Sequence, residues 1–131
     1  MENGLVSEEI ALAAVESWLD AKKVNAKKRI ENEKLIQEMI GLVQDGTLVL
    51  TEKFHWKHKL IFPIGENEQI KELVYKPRIS VEEILDGSKG VKQEELGLVY
   101  ISILTGQVKA IIKKLDLSDY TVSQIIAGFF L

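Results

Sequence analysis

The chain contains no cysteine in its 131 residues. Disulfides and thiolate metal sites are therefore excluded, and the cytosol is the natural compartment. Proline is scarce, with two residues that fall at the ends of apolar stretches. No run approaches the 18 or so apolar residues that a membrane-crossing helix needs. The first ten residues, MENGLVSEEI, are acidic and carry no basic-then-apolar order, so they do not read as a secretory signal. Positive charge is not in excess: the net charge is −3. A general nucleic-acid surface is disfavoured on that ground, although a local basic patch is not. There is no internal repeat, no low-complexity tract, no phosphate loop and no GxGxxG. No serine, histidine and acid can be grouped in space from spacing alone. With 46% hydrophobic and 28% charged residues, the composition is that of one globular domain able to bury a core.

Apolar periodicity divides the chain into three parts. Residues 7–43 follow a helical period, entered through Ser7 with Glu8 and Glu9 behind it, a hydroxyl cap followed by acids at the positive end of the helix dipole. The stretch KKVNAKKRIENEK, residues 22–34, interrupts the apolar rows with charge. It predicts either one helix with a solvated middle or two helices broken near Lys22–Asn25. A single helix of about 37 residues would reach roughly 55 Å. It would have to project, fold back or pair with another copy of the chain, and self-association through it is expected.

Asp45-Gly46 is a turn signal, after which the period becomes two. Leu48, Leu50, Phe54, Trp56, Leu60 and Phe62 occupy one parity, and Thr51, Lys53, His55, Lys57 and Lys59 the other. This predicts a half-buried strand, broken once near Glu52 and stopped by Pro63. IKELVYKP, residues 70–77, is the return strand of an antiparallel hairpin. Beyond it, Ser80-Val-Glu-Glu83 is a capping box that opens a short helix ended near Asp86-Gly87. Helical spacing recurs over 92–105, 107–115 and 119–130, the last with Ser118 as its cap. The expected fold is α+β: an N-terminal helical arm over 1–46, then a body over 47–131 of hairpin and three to four helices, together one compact unit.

Candidate chemistry is thin. His55 and His58 stand three apart, on opposite faces of a strand, and cannot share a metal ion. They read as surface or rim histidines. Asp116 and Asp119 suggest an acid/base pair, but both fall where a helix begins and dipole stabilisation accounts for them. YTVSQIIAG resembles a recognition helix without a basic residue to meet phosphates. No enzyme, cofactor or metal is expected. The residues that stand out as a partner-binding set are Trp18, Trp56, Tyr120 and Ile125, with Phe129, Phe130 and Leu131 at the apolar end of the chain. Replacing Phe129 and Phe130 with serine is expected to affect a partner more than folding.

The order of phrases along residues 58–131 resembles the tail assembly chaperone family of Mu-like and related contractile-tailed phages and prophages. KLIFPIGE (59–66) stands where that family has a strand ending in Leu and Pro-Ile, and QIKELVYKPRIS (69–80) where it has its second strand phrase. ISILTG (101–106) matches a Leu-Thr-Gly helix ending, and KLDLSDYTVSQIIAGFFL (114–131) the Leu-Asp, Asp-Tyr close followed by an apolar helix. Lys76-Pro77-Arg78 departs from the arginine-before-proline form of the second phrase, and residues 1–50 have no counterpart. The resemblance implies a non-enzymatic, non-virion protein of the bacterial cytoplasm. Its partner would be the tape-measure protein, bound while the tail tube grows, without nucleic acid or membrane. Many members are made in two lengths by a frameshift. The rival readings are a structural tail or baseplate homo-oligomer subunit, and a small DNA-binding regulator using the basic run Lys22–Arg29.

Overall fold

A computed structural model describes residues 6–130. It is an α+β fold in which three helices precede a three-stranded antiparallel sheet and four more helices follow it, counted among the described residues. The first 37-residue pattern resolves into α1 (Glu8–Ala21), α2 (Ala26–Glu31) and α3 (Glu33–Gln44). Ser7 caps α1 by accepting from the Ile10 N–H at 3.2 Å. The break comes at Lys22–Asn25. Lys23 takes a left-handed backbone conformation (φ 58°), and the Asn25 side chain caps α2 through the Lys28 N–H at 2.8 Å. Arg29 clamps this corner, donating to the Val24 carbonyl at 2.9 Å and to Asp20 at 2.7 Å.

The corner turns the chain back on itself. α1 packs along α3, and the Val6 N–H donates to the Gln44 carbonyl, so the two helices run antiparallel. Nothing of the length of one 37-residue helix projects. The apolar face of α1 (Ala11, Val15, Trp18, Leu19) is buried within the same core cluster as the sheet and the last helix. The isolated helix that motivated the expectation of self-association is thus satisfied internally.

The period-two stretch forms two strands rather than one, β1 (Leu48–Leu50) and β2 (Trp56–Ile64), with β3 (Ile70–Tyr75) completing the order β1-β2-β3. The chain reverses at residues 51–55, where the Thr51 and His55 backbones bond and Phe54 adopts φ 63°. Leu48, His58 and Leu73 align across the inner face and are buried. Val49, Lys57 and Val74 align on the outer face and are exposed.

Pro63 does not end β2. The register with β3 is regular from Trp56 to Lys59, then shifts before resuming at Ile64↔Ile70. Proline cannot donate to a ladder, but within such an irregularity it does not need to. The irregularity also interrupts the alternation at one position of the inward parity that Trp56, His58, Leu60 and Ile64 share. Phe62, expected inside, is 54% exposed, whereas Ile64 is buried.

The helical third begins with α4 (Val81–Ser88), whose predicted capping box is formed in both directions between Ser80 and Glu83. A 3-10 turn at Gln93–Glu95 leads into α5 (Leu96–Thr105), followed by α6 (Lys109–Ile112) and α7 (Leu117–Ala127). Glu95 is held by Lys109 at 2.8 Å and Lys113 at 3.1 Å, which draws its carboxyl down to about 2 and ties the start of α5 to α6. The cap of α7 is Asp116, accepting from the Ser118 N–H at 3.0 Å, and not Ser118 itself. No helix among the described residues is long and apolar enough to cross a membrane.

Candidate functional site

The expected partner-binding residues divide between core and surface. Trp18 and Trp56 are fully buried and Phe129 is 2% exposed. These three are core residues, a correction to the exposed set read from the sequence. The physical reason is aromatic packing between distant parts of the chain. The Trp18 ring meets Phe129 at 5.3 Å and Trp56 at 5.7 Å, both edge-to-face, the geometry the ring quadrupoles favour. The apolar end of the chain therefore closes over α1. The indole N–H groups of Trp18 and Trp56 find no acceptor among the described residues. That cost, about 1–3 kcal/mol for an unmet buried donor, is offset by ring burial.

Phe130, Ile125 and Tyr120 remain half-buried at the rim of the core. Leu131 lies outside the described residues. Phe130 carries Lys22 on its face, with the ammonium 3.5 Å from the ring centroid. Lys22 also donates to the Pro77 carbonyl at 3.0 Å.

Tyr120 stands in the wall of an apolar depression of about 390 Å3, with Leu98, Ile112, Leu115 and Leu117 around it and Glu94 and Lys113 as its charged members. Each part follows from local structure. The short α6 turns the chain sharply between α5 and α7, and Asp116 starts α7 immediately afterwards. Leu117 is consequently left at the first position of a helix with 76% of its surface in water.

A second cluster was not foreseen as a unit. His58, Tyr75, Asp119 and Ser123 meet in the interior, each fully buried. The His58 ring sits 2.9 Å (Nδ1) from the Tyr75 hydroxyl and 3.2 Å (Nε2) from Asp119 Oδ1. The Tyr75 hydroxyl is 2.5 Å from Ser123 Oγ. Asp119 also accepts from the backbone N–H groups of Ile61 (2.9 Å) and Phe62 (3.0 Å). Those two donors belong to the segment of β2 whose register with β3 is lost, so the carboxylate supplies acceptors at the bulge.

One arrangement of protons satisfies the whole chain of contacts. Ser123 donates to Tyr75, Tyr75 to His58 Nδ1, and a neutral His58 donates through Nε2 to the Asp119 carboxylate. The electrostatics agree. Burial lowers the His58 pKa, outweighing the opposing pull of Asp119. Burial likewise raises that of the Tyr75 phenol. The reading of His58 as a surface or rim residue is thereby corrected, as is the reading of Asp119 as a simple helix-start acid. His58 shares the inward parity of Trp56 and Leu60. Asp119 lies three, four and seven residues before the buried Val122, Ser123 and Ile126. Those two spacings were the available signals.

Serine, histidine and acid are present together, yet the order of contacts runs through Tyr75, and all four side chains are sealed from solvent. A substrate has no approach to them in this conformation. Their chemistry is that of a satisfied polar network, which fixes β2, β3 and α7 relative to one another.

No protein-family profile, curated protein or solved structure matches the chain.

Proposed function

We propose that this protein is a non-enzymatic tail assembly chaperone of a phage or prophage, acting in the cytoplasm of the bacterial host on the tape-measure protein. The observation that carries the reading is the apolar depression at Tyr120, opened by the exposed Leu117. A client that is long, helical and apolar needs its faces covered before the tube forms around it. A shallow groove between helices takes the side chains of an amphipathic helix. Release is also required, and contacts of modest size suit a transient complex better than a deep, enclosing pocket. The phrases along residues 58–131 support the same assignment, and the groove lies within that region.

The test is co-expression with the tape-measure protein encoded in the same genetic neighbourhood. A soluble complex, with the partner insoluble when made alone, is the expected result. A partner whose solubility does not respond to this chain overturns the reading.

One feature favours a structural homo-oligomer subunit instead. The outer sheet face presents Val49, Ile61, Phe62 and Val74, each more than a third exposed. Presence of the protein in purified virions, with this face covered by a second copy, would select that alternative.

A further inference from the structure

The corner between α1 and α2 gathers positive charge into a concavity. Lys22, Lys23, Lys28 and Arg78 line a pocket of about 320 Å3. No carboxylate is among its lining residues, counted over the described residues, in a chain whose net charge is −3. Three of the cations come from the turn and the first residues of α2, and the fourth from the segment after β3. The concavity therefore exists only because the helix pair folds back beside the sheet. Among the described residues, none of the four pairs with a carboxylate, whereas their neighbour Arg29 pairs with Asp20.

The pocket is also built rather than merely charged. The Lys22 ammonium is held by the Pro77 carbonyl and the Phe130 ring. Its pKa is lowered to about 8, by burial first and then by the charges of Lys28 and Arg78. Lys23 sits in the left-handed backbone region, a conformation that a side-chain-bearing residue adopts at some cost and that recurs at binding sites. Repulsion among close cations is relieved when an anion enters the same space. Val24, Ile79 and Phe130 add apolar surface to the lining.

We propose that this pocket binds a carboxylate-rich, partly apolar segment of a partner protein. Its acidic side chains would meet Lys22, Lys23, Lys28 and Arg78, and an apolar side chain would lie against Ile79 and Phe130. A phosphate group fits less well. Phosphate sites converge backbone N–H groups on the anion. Here those of Lys22, Lys23 and Val24 donate to carbonyls of α1, and that of Lys28 to Asn25. The three lysines therefore meet an anion through their ammonium groups alone, and they lack the planar fork of arginine. The proposal stands apart from the tail-chaperone reading, since it concerns a different surface and is tested without the tape-measure protein.

The probe is a labelled, end-capped peptide of repeating Glu-Glu-Leu, followed by fluorescence polarisation against the full chain. The control peptide carries Gln in place of Glu. The expected result is binding of the acidic peptide alone. Kd should rise at least tenfold in Lys28→Gln/Arg78→Gln and stay unchanged in Lys57→Gln/Lys59→Gln, which removes two cations from the outer sheet face. If Lys28→Gln/Arg78→Gln melts at a lower temperature, Lys23→Gln, whose side chain is exposed, is read in its place, with a Kd increase of severalfold expected. Absence of binding, equal binding of the Gln peptide, or an equal loss in the sheet-face variant overturns the proposal. Displacement of the peptide by equimolar inorganic phosphate overturns it in favour of a small-anion site. Self-association that Lys28→Gln/Arg78→Gln abolishes overturns it in favour of a second copy of the chain.

Discussion

His58 and Asp119, 61 residues apart in the chain, face each other at 3.2 Å with neither side chain exposed. The carboxylate accepts from the imidazole and from two backbone N–H groups of β2 at once. Its removal would leave three donors without this acceptor, the His58 Nε2–H fully buried and the two backbone N–H groups partly so. Asp119→Ala is expected to cost about 3–5 kcal/mol, since each donor left unmet costs about 1–3 kcal/mol and the two backbone donors are partly reached by water. Asp119→Asn keeps one acceptor oxygen and should cost less. Urea unfolding of both variants checks the order, and equal losses would show that the one oxygen asparagine keeps contributes nothing without the charge and the second oxygen.

Stability should depend on pH through His58. Its folded-state pKa is depressed below the ordinary 6.5, chiefly by burial. The unfolded chain therefore binds more protons than the folded one below that value, and stability rises with pH across the interval. The contribution is present above 6.5 and is lost as pH falls towards the folded-state value. Urea midpoints at pH 7.5 and pH 5 should differ, the latter being lower. Glu83, Glu95 and Asp116, whose pKa values are also shifted, are lowered from ordinary values already below this window. His58→Gln should flatten the difference, and a slope that survives that substitution assigns it to another group.

The end of the chain is structural at Phe129. Phe129→Ala should cost about 3–5 kcal/mol, as for other buried aromatic truncations. Phe130 is half-buried, and Phe130→Ala should cost about 1 kcal/mol from the smaller area returned to water. Thermal melts of the two variants settle their order. Equal and small shifts would place Phe129 outside the core.

Ser80 contributes through its cap alone. It is exposed, and its hydroxyl accepts from the Glu83 N–H at 3.1 Å. Ser80→Ala should lose about 1 kcal/mol, and Ser80→Asp, which keeps an acceptor, much less. Hydrogen exchange in α4 should rise in the alanine variant before any change in α7. A simultaneous rise in both would mean that α4 does not open independently.

A substitution at Leu117 tests the proposed client contact apart from folding. With most of its surface in water, Leu117→Glu should leave stability within about 0.5 kcal/mol of the parent. It should weaken capture of the proposed client, the tape-measure protein, in a pull-down. A complex of unchanged yield would move the client contact away from the Tyr120 groove.

The elements themselves were largely legible. Ser7 and the Ser80 capping box marked helix starts because capping is a local hydrogen bond between residues three apart. The turn at Asp45-Gly46 and the change of period announced the sheet. The break at Lys22–Asn25 could be read as one of two outcomes, since charged residues are compatible with either a solvated helix or a corner. Arg29 and the left-handed Lys23 stabilise the corner, and both act through the three-dimensional turn. Pro63 misled because a proline normally ends a central strand. Here the neighbouring register shift removes the requirement for its N–H.

What the sequence determined alone was therefore which residues could be helix, strand or turn, and which face of each was apolar. Periodicity carries that information because a side chain's direction repeats every 3.6 or 2 residues. Only the tertiary structure decided what covers each face. Trp18 is buried by Phe129, a residue more than a hundred positions later. The polar His58 and Asp119 are stable inside because each completes the other's hydrogen bonds. Such pairing depends on where β2 and α7 meet, and no local spacing encodes that meeting.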